Sequence, residues 1–163
     1  MKTIGMIGGM SWESTVSYYQ ALNRGVKEAL GGSHSAKIWL YSVDFDEIQT
    51  LQHQGKWQQA AKILADAAVG IEAAGADFLL ICANTMHKVA DEVQAAISIP
   101  ILHVADLTAE KLLADGITKV GLLGTEFTME ESFYKDRIRE NYAIDVVVPD
   151  KSDRNTVHNI IYS

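Results

Sequence analysis

The chain has 163 residues, 48% of them hydrophobic, enough for one substantial core or for one lobe and part of another. Its formal net charge is −7 and no Lys/Arg stripe interrupts the acidic balance, which argues against nucleic acid or anionic membrane partners. One cysteine, Cys82, rules out an internal disulfide, and no apolar run approaches the roughly 20 residues that span a bilayer. Met1-Lys2-Thr3 leads straight into a strand-like run instead of a signal-peptide core, so a reducing, cytoplasmic setting is the expectation.

Strands and helices are predicted in alternation. Residues 3–9 form a continuous apolar run closed by Gly8-Gly9, as suits a strand buried on both faces. Ser11 is the expected cap of a helix from Ser14 to Leu30, with Tyr19, Leu22, Val26 and Leu30 on its apolar face. Lys37–Val43 reads as a strand and Asp44–Gly55 as a polar stretch, with Asp44 and Glu47 in loop-capping roles. A long helix follows, lined by Trp57, Ala60, Ala61, Leu64, Ala68 and Ile71 and ended by Gly75. Phe78–Cys82 is the next strand, His87–Ile97 a helix, Pro100–Val104 a strand and Leu107–Asp115 a helix closed by Gly116. Such an order favours an α/β fold: a parallel sheet with helices on both faces.

A second unit opens at Lys119. Lys119-Val120-Gly121-Leu122-Leu123-Gly124-Thr125 matches Thr3-Ile4-Gly5-Met6-Ile7-Gly8-Gly9 in register, Gly5 with Gly121 and Gly8 with Gly124, at an offset of about 116 residues. Thr128-Met129-Glu130-Glu131 has the capping-box pattern for a helix to about Asn141. Asp145–Val148 reads as a strand, and Asn155–Tyr162 as a helix with Val157, Ile160 and Ile161 on one side. The expected division is a first lobe over 1–116 and the start of a second, pseudo-symmetric lobe over 117–163. The repeat offset would put the counterpart of Phe78–Thr85 at about 194–201, past Ser163, so the second lobe is expected to be incomplete.

Chemistry-bearing residues gather in three strand-to-helix turns: Gly8-Gly9-Met10-Ser11, Ala83-Asn84-Thr85 and Thr125–Thr128. In parallel α/β sheets ligands collect beyond the carboxyl ends of strands, where helix amino termini present free N–H groups; a small anion such as an α-carboxylate would suit. Ordinary helix capping is the alternative for any one turn. Gly5-Met6-Ile7-Gly8-Gly9-Met10 does not fit G-x-G-x-x-G and no phosphate-loop lysine motif occurs, so a nucleotide is not the expected ligand. His34, His53, His103 and His158 lack metal-ligand spacing, and no metal site is expected. His87 and Asp91 are spaced to pair on one helix, and Trp12, Trp39 and Trp57 read as packing residues.

The motifs Gly8-Gly9-Met10-Ser11-Trp12-Glu13-Ser14-Thr15, Ser42-Val43-Asp44-Phe45, Cys82-Ala83-Asn84-Thr85-Met86-His87-Lys88 and Leu123-Gly124-Thr125 with Thr128-Met129 resemble the aspartate/glutamate racemase family. The resemblance covers essentially the whole chain. It implies two pseudo-symmetric α/β lobes, an active site between them, a small amino-acid substrate such as aspartate or glutamate or a broader range, and neither pyridoxal phosphate nor metal. Each lobe in the family contributes one acid/base residue, usually a cysteine. A homo-oligomer is compatible with it. Inverting an α-carbon without a cofactor needs a base on one face and an acid on the other, which a duplicated lobe supplies.

Two departures bear on that chemistry. The family's first acid/base position, immediately before Asn-Thr, is Ala83 here, which has no exchangeable proton; Cys82 is one residue earlier and by strand alternation points away from the Ala83 side. The turn that carries the other cysteine in the family has no counterpart in these residues. By the same resemblance Met10, Gln52, Ala83, Asn84 and Thr85 would contact the substrate, joined by Thr125 and Thr128. Two readings follow: a racemase-type isomerase, or a non-catalytic remnant that binds a small carboxylate or oligomerises.

Overall fold

The computed structural model describes residues 1–162. It contains two compact units, Met1–Leu102 and His103–Ser163.

The first unit is built on three parallel strands, β1 (Thr3–Gly8), β2 (Lys37–Ser42) and β3 (Phe78–Ile81), in the order β2-β1-β3. Ile4 to Ile7 of β1 pair with Phe78 to Ile81, and Thr3 to Gly8 with Lys37 to Ser42, both parallel. The central position of β1 explains its unbroken burial, and the edge position of β2 explains why Trp39, Leu40 and Tyr41 stay exposed. Helices cover both faces. On one, α1 (Trp12–Leu30) brings Tyr18 and Leu22 against Ile4, Met6, Leu80 and Cys82. On the other, α2 (Phe45–His53), α3 (Trp57–Ala73) and α4 (Ala90–Ala95) pack Ile48, Leu64, Ile71 and Val93 against Ile7, Leu79 and Ile81. Each fully buried aliphatic side chain there contributes about 1.5–3 kcal/mol.

Several local expectations are corrected. α1 turns Leu22 inward as expected, together with Thr15 and Tyr18, and leaves Tyr19 and Leu30 exposed. The polar stretch after Asp44 is helical: Asp44 Oδ1 accepts from the Asp46 amide at 3.1 Å, and Ile48 and Gln52, one turn apart, are buried. Trp12 and Trp39 are exposed, so a packing role is left to Trp57, whose ring also carries the Lys88 ammonium at 4.0 Å. The expected helix 87–97 is a 3-10 turn, Thr85–Val89, followed by α4. In place of a strand over 100–104 there is a single bridge between Leu79 and Ile101. Side chains claim the backbone there: Gln94 Oε1 accepts from Ile101 N at 2.8 Å, and Glu72 Oε1 from Ser98 N and Ile99 N at 2.8 and 3.0 Å.

The second unit begins at the helix α5 (Val104–Ala114), earlier than the expected boundary at 117. Ala105 and Ala109 of α5 share a core with Tyr134 and Ile138 of α7 (Ser132–Tyr142) and with Ile144 and Val146. β4 (Lys119–Gly121) and β5 (Asp145–Val147) are parallel, the first crossover of a second α/β unit. The cap of α6 (Glu126–Glu130) is Thr125 and not Thr128, and the chain extends at Glu131, so the expected single helix to 141 is two. α8 (Lys151–Ile161) starts four residues earlier than expected because Asp150 caps it, accepting from Asp153 N at 3.1 Å. Ile160 and Ile161 on α8 are exposed.

A two-pronged ion pair ties α5 to α7. Arg137 Nε and Nη2 donate to Asp106 Oδ1 and Oδ2 at 2.8 and 2.7 Å. That hydrogen bond is the main reason the Asp106 carboxyl sits below its ordinary range. The folded state therefore favours the ionised form: the stabilisation is complete above about pH 4 and fades as pH falls through the depressed folded value. Asp106→Asn is expected to cost about 1 kcal/mol at neutral pH, as a well-formed but partly exposed pair should. Urea melts at pH 7 and pH 3 check it; an equal loss at both values would refute the ion-pair account.

Candidate functional site

The first unit gathers two of the three turns at the carboxyl ends of β1 and β3. Gly8 and Gly9 are required by packing as well as by conformation. A Cβ on Gly8 would lie 2.5 Å from Thr15 Cγ2, and Gly9 has φ +89° with the Val43 carbonyl oxygen against its α-carbon. The close approach lets Gly9 N donate to Thr15 Oγ1 at 2.9 Å. Ser11 precedes α1 as expected but makes no capping hydrogen bond. Its hydroxyl serves the Glu13 carboxylate, the main cause holding that carboxyl below its ordinary value. Met10 is buried in the same cluster as Ile48 and Met86.

At the end of β3 the chain alternates as strands do. Cys82 N donates to Ile7 O at 2.9 Å, and the Cys82 side chain is fully buried with Ile4, Met6 and Leu80 on the α1 face. Ala83 packs, partly buried, with the cluster on the opposite face. Burial pushes the Cys82 thiol up to about 12, so it is neutral at physiological pH. Ser14 Oγ lies 2.8 Å from the Cys82 carbonyl oxygen, which joins the first turn of α1 to the second rim turn.

Asn84 is exposed at the head of the 3-10 turn, while Thr85, Met86 and His87 are buried. His87 Nδ1 lies 2.7 Å from the Ala83 carbonyl oxygen, within its own turn. Gln52 reaches the same turn from α2, with Nε2 donating to Met86 Sδ at 3.0 Å. It is 4% exposed, and its Oε1 has no hydrogen-bond partner among the described residues. Such a buried acceptor costs about 1–3 kcal/mol until a donor meets it. The four-residue spacing of Ile48 and Gln52 is the trace that α2 leaves in the sequence, too thin by itself to place Gln52 in a buried helix.

In the second unit, Thr125 Oγ1 accepts from the Thr128 amide at 3.3 Å and lies 3.2 Å from Thr128 Oγ1. Thr128 is buried, and a Cβ on Gly124 would stand 3.1 Å from it, the same glycine-against-threonine contact that Gly8 makes with Thr15. Gly5 and Gly121 differ: a Cβ on Gly5 would meet Ile71 at 2.5 Å, whereas Gly121 faces open space. Among the described residues no three His, Cys, Asp or Glu side chains are grouped as a metal would need, and no helix is long and apolar enough to cross a membrane.

Both parallel α/β units thus carry a glycine turn backed by a threonine, with amide and hydroxyl groups at the strand ends. The Asp/Glu/Hydantoin racemase family profile matches residues 7–162, and the chain belongs to that family. It is 27% identical over 143 residues to the broad specificity amino-acid racemase RacX of Bacillus subtilis (strain 168), matching 85% of this chain. The match takes in 61% of that relative's length. Among solved structures, a Yersinia pestis protein assigned as an Asp/Glu racemase is 55% identical with a TM-score of 0.94, over 99% of this chain and 70% of that one. An aspartate racemase homologue from Pyrococcus horikoshii OT3 is 35% identical with a TM-score of 0.83, over 100% of this chain and 71% of that one.

Proposed function

We propose that the chain carries the amino-acid-binding part of a cofactor-independent racemase, with the rim of the first unit as one side of its site. The observation that carries this reading is the unpartnered Gln52 Oε1, buried beside Met86 at the turn that holds Asn84 and Thr85. An amino acid's ammonium group is the donor this acceptor lacks, while Asn84 and Thr85 offer amide and hydroxyl groups to its carboxylate. Met10 supplies an apolar wall.

In the proposed reaction a base takes the α-proton, the electron pair passes onto the α-carboxylate as an enediolate, and an acid on the opposite face returns a proton to carbon. By the resemblance, position 83 is the place proposed for one of these groups. Here it is alanine, and the neighbouring Cys82 thiol is neutral and buried on the other face of β3. The 163-residue chain is therefore proposed to bind its amino acid without turning it over.

The test is α-proton exchange in deuterated water, read by NMR, on aspartate, glutamate and neutral amino acids of both hands. The chain should exchange no faster than buffer, and Ala83→Cys should give exchange from one enantiomer at least tenfold above buffer. Binding, followed by amide shifts at residues 9–10 and 84–86, should weaken about tenfold in Gln52→Leu, the equivalent of one lost buried hydrogen bond. No binding of any amino acid, or binding untouched by Gln52→Leu, would reject the site.

A further inference from the structure

We propose that the first unit holds a second ligand site, for a small phosphorylated anion, at the far end of α1 from the rim. A hollow of about 360 Å³ is lined there by Arg24, Lys27, Gly32, Ser33, His34 and Ser35, together with the Asn23 side chain that fixes its wall. No carboxylate lines it. The chain has 21 acidic residues against 14 basic ones, yet neither Arg24 nor Lys27 has a carboxylate partner among the described residues. Three residues apart on α1, the two cations face the same side.

The turn that closes the hollow is preorganised. Gly31 and Gly32 have φ of 74° and 58°, a left-handed pair that only glycine adopts without strain. Gly31 N donates to Lys27 O at 2.8 Å, and His34 N to Gly31 O at 3.3 Å. Asn23 locks both sides: its Oδ1 accepts from Ala36 N at 3.0 Å and its Nδ2 donates to Tyr19 O at 2.8 Å. Arg24 Nη2 donates to Gln20 Oε1 at 2.7 Å, which orients the guanidinium and leaves its other donors. The amides and hydroxyls of Ser33 and Ser35 have no protein acceptor among the described residues.

Two opposing terms are smaller than the attraction. The carboxyl end of α1 contributes about half a negative charge, and the net −7 acts through a screening length of roughly 8–10 Å. Two full positive charges at contact outweigh both. A tetrahedral phosphoryl group presents three acceptor oxygens to donors arriving from the helix and from the turn, whereas a planar carboxylate meets one fork at a time. Because β1 and β2 are parallel, α1 runs back from the rim, and its rise of about 1.5 Å per residue sets the hollow roughly 20–28 Å from the Gly9 turn. The site is thus separate from the amino-acid rim and stands whether or not that reading does.

The test is an NMR titration of the 163-residue chain with inorganic phosphate at constant ionic strength, with glycerol 3-phosphate and malonate in parallel. Saturable shifts are expected at residues 24–36 and not at 84–86. The double variant Arg24→Gln, Lys27→Gln should weaken phosphate at least tenfold, with the remaining spectrum unchanged because both side chains are exposed. Tighter binding of the ester identifies a phosphorylated metabolite as the ligand, and equal binding identifies the free ion. Shifts that do not saturate, malonate matching phosphate, or a double variant that binds as before would overturn the proposal.

Discussion

Gly9→Ala is expected to destabilise the first unit by about 3 kcal/mol, from one to two for a left-handed residue with a side chain and as much again for overpacking. Gly9 has φ +89°, and an added Cβ would fall against the Val43 carbonyl oxygen, with Ser42 Oγ and Val43 N only 2.8 and 2.9 Å away. These neighbours are held: Val43 N donates to Gly8 O at 3.0 Å at the end of the β1–β2 ladder. Backbone cannot move aside as a flexible side chain can. Domains are stable by about 5–15 kcal/mol in all, so the change removes a large share. Gly25, in the middle of α1 with nothing within 4 Å, is the control, and Gly25→Ala should gain about 0.5–1 kcal/mol from helix propensity alone. Urea midpoints of the two variants should move in opposite directions. A Gly9→Ala protein within 0.5 kcal/mol of the parent would show that the turn relaxes and that its glycine is not a steric requirement.

The strands that organise the first unit were legible because their burial is continuous. A run such as Ile4 to Ile7, apolar without alternation, has few placements other than the centre of a parallel sheet. Amphipathic α3 was legible for the corresponding reason, its alanine and leucine positions repeating at helical spacing. Elements held by side-chain bonds were not. α2 buries only Ile48 and Gln52 among nine residues, a signal too thin for periodicity, and it starts where one Asp44 oxygen caps it. Residues 100–104 read as a strand by composition, yet Gln94 takes the amide of Ile101, and Glu72, distant in sequence, takes those of Ser98 and Ile99 just before it. Tertiary partners of this sort leave no local trace. The internal repeat was visible as a register of glycines, and the structure shows unequal reasons behind it. Gly8 and Gly124 both stand against a threonine, but Gly5 is pressed by Ile71 while Gly121 faces open space. For the rim, the turn containing Asn84 and Thr85 was visible as a cluster of polar residues after an apolar strand. The unpartnered Gln52 oxygen could be seen only once α2 was folded against Met86.

Cys82 should be nearly inert to a thiol reagent in the native protein, reacting at pH 8 about a thousandfold more slowly than an unfolded thiol. The reasoning starts from charge. The thiolate is the reacting species, and an ordinary cysteine near 8.5 is about a quarter ionised at pH 8, against roughly one part in ten thousand for a group at 12. Burial among Ile4, Met6 and Leu80 pushes Cys82 up to about 12, with no cation to offset it. The same shift makes stability fall at alkaline pH. Between about 8.5 and 12 the unfolded chain has lost the thiol proton that the folded chain keeps, so folding weakens by about 1.4 kcal/mol per pH unit. Cys82→Ala removes that slope at the cost of about 1 kcal/mol for the small cavity it leaves. The variant should therefore be the less stable protein at pH 7 and the more stable one near pH 10. Crossing stability curves from urea melts would establish the buried neutral thiol. Parallel curves, or rapid labelling of the folded protein at pH 8, would mean that Cys82 ionises in place and has to be readmitted as a base beside position 83.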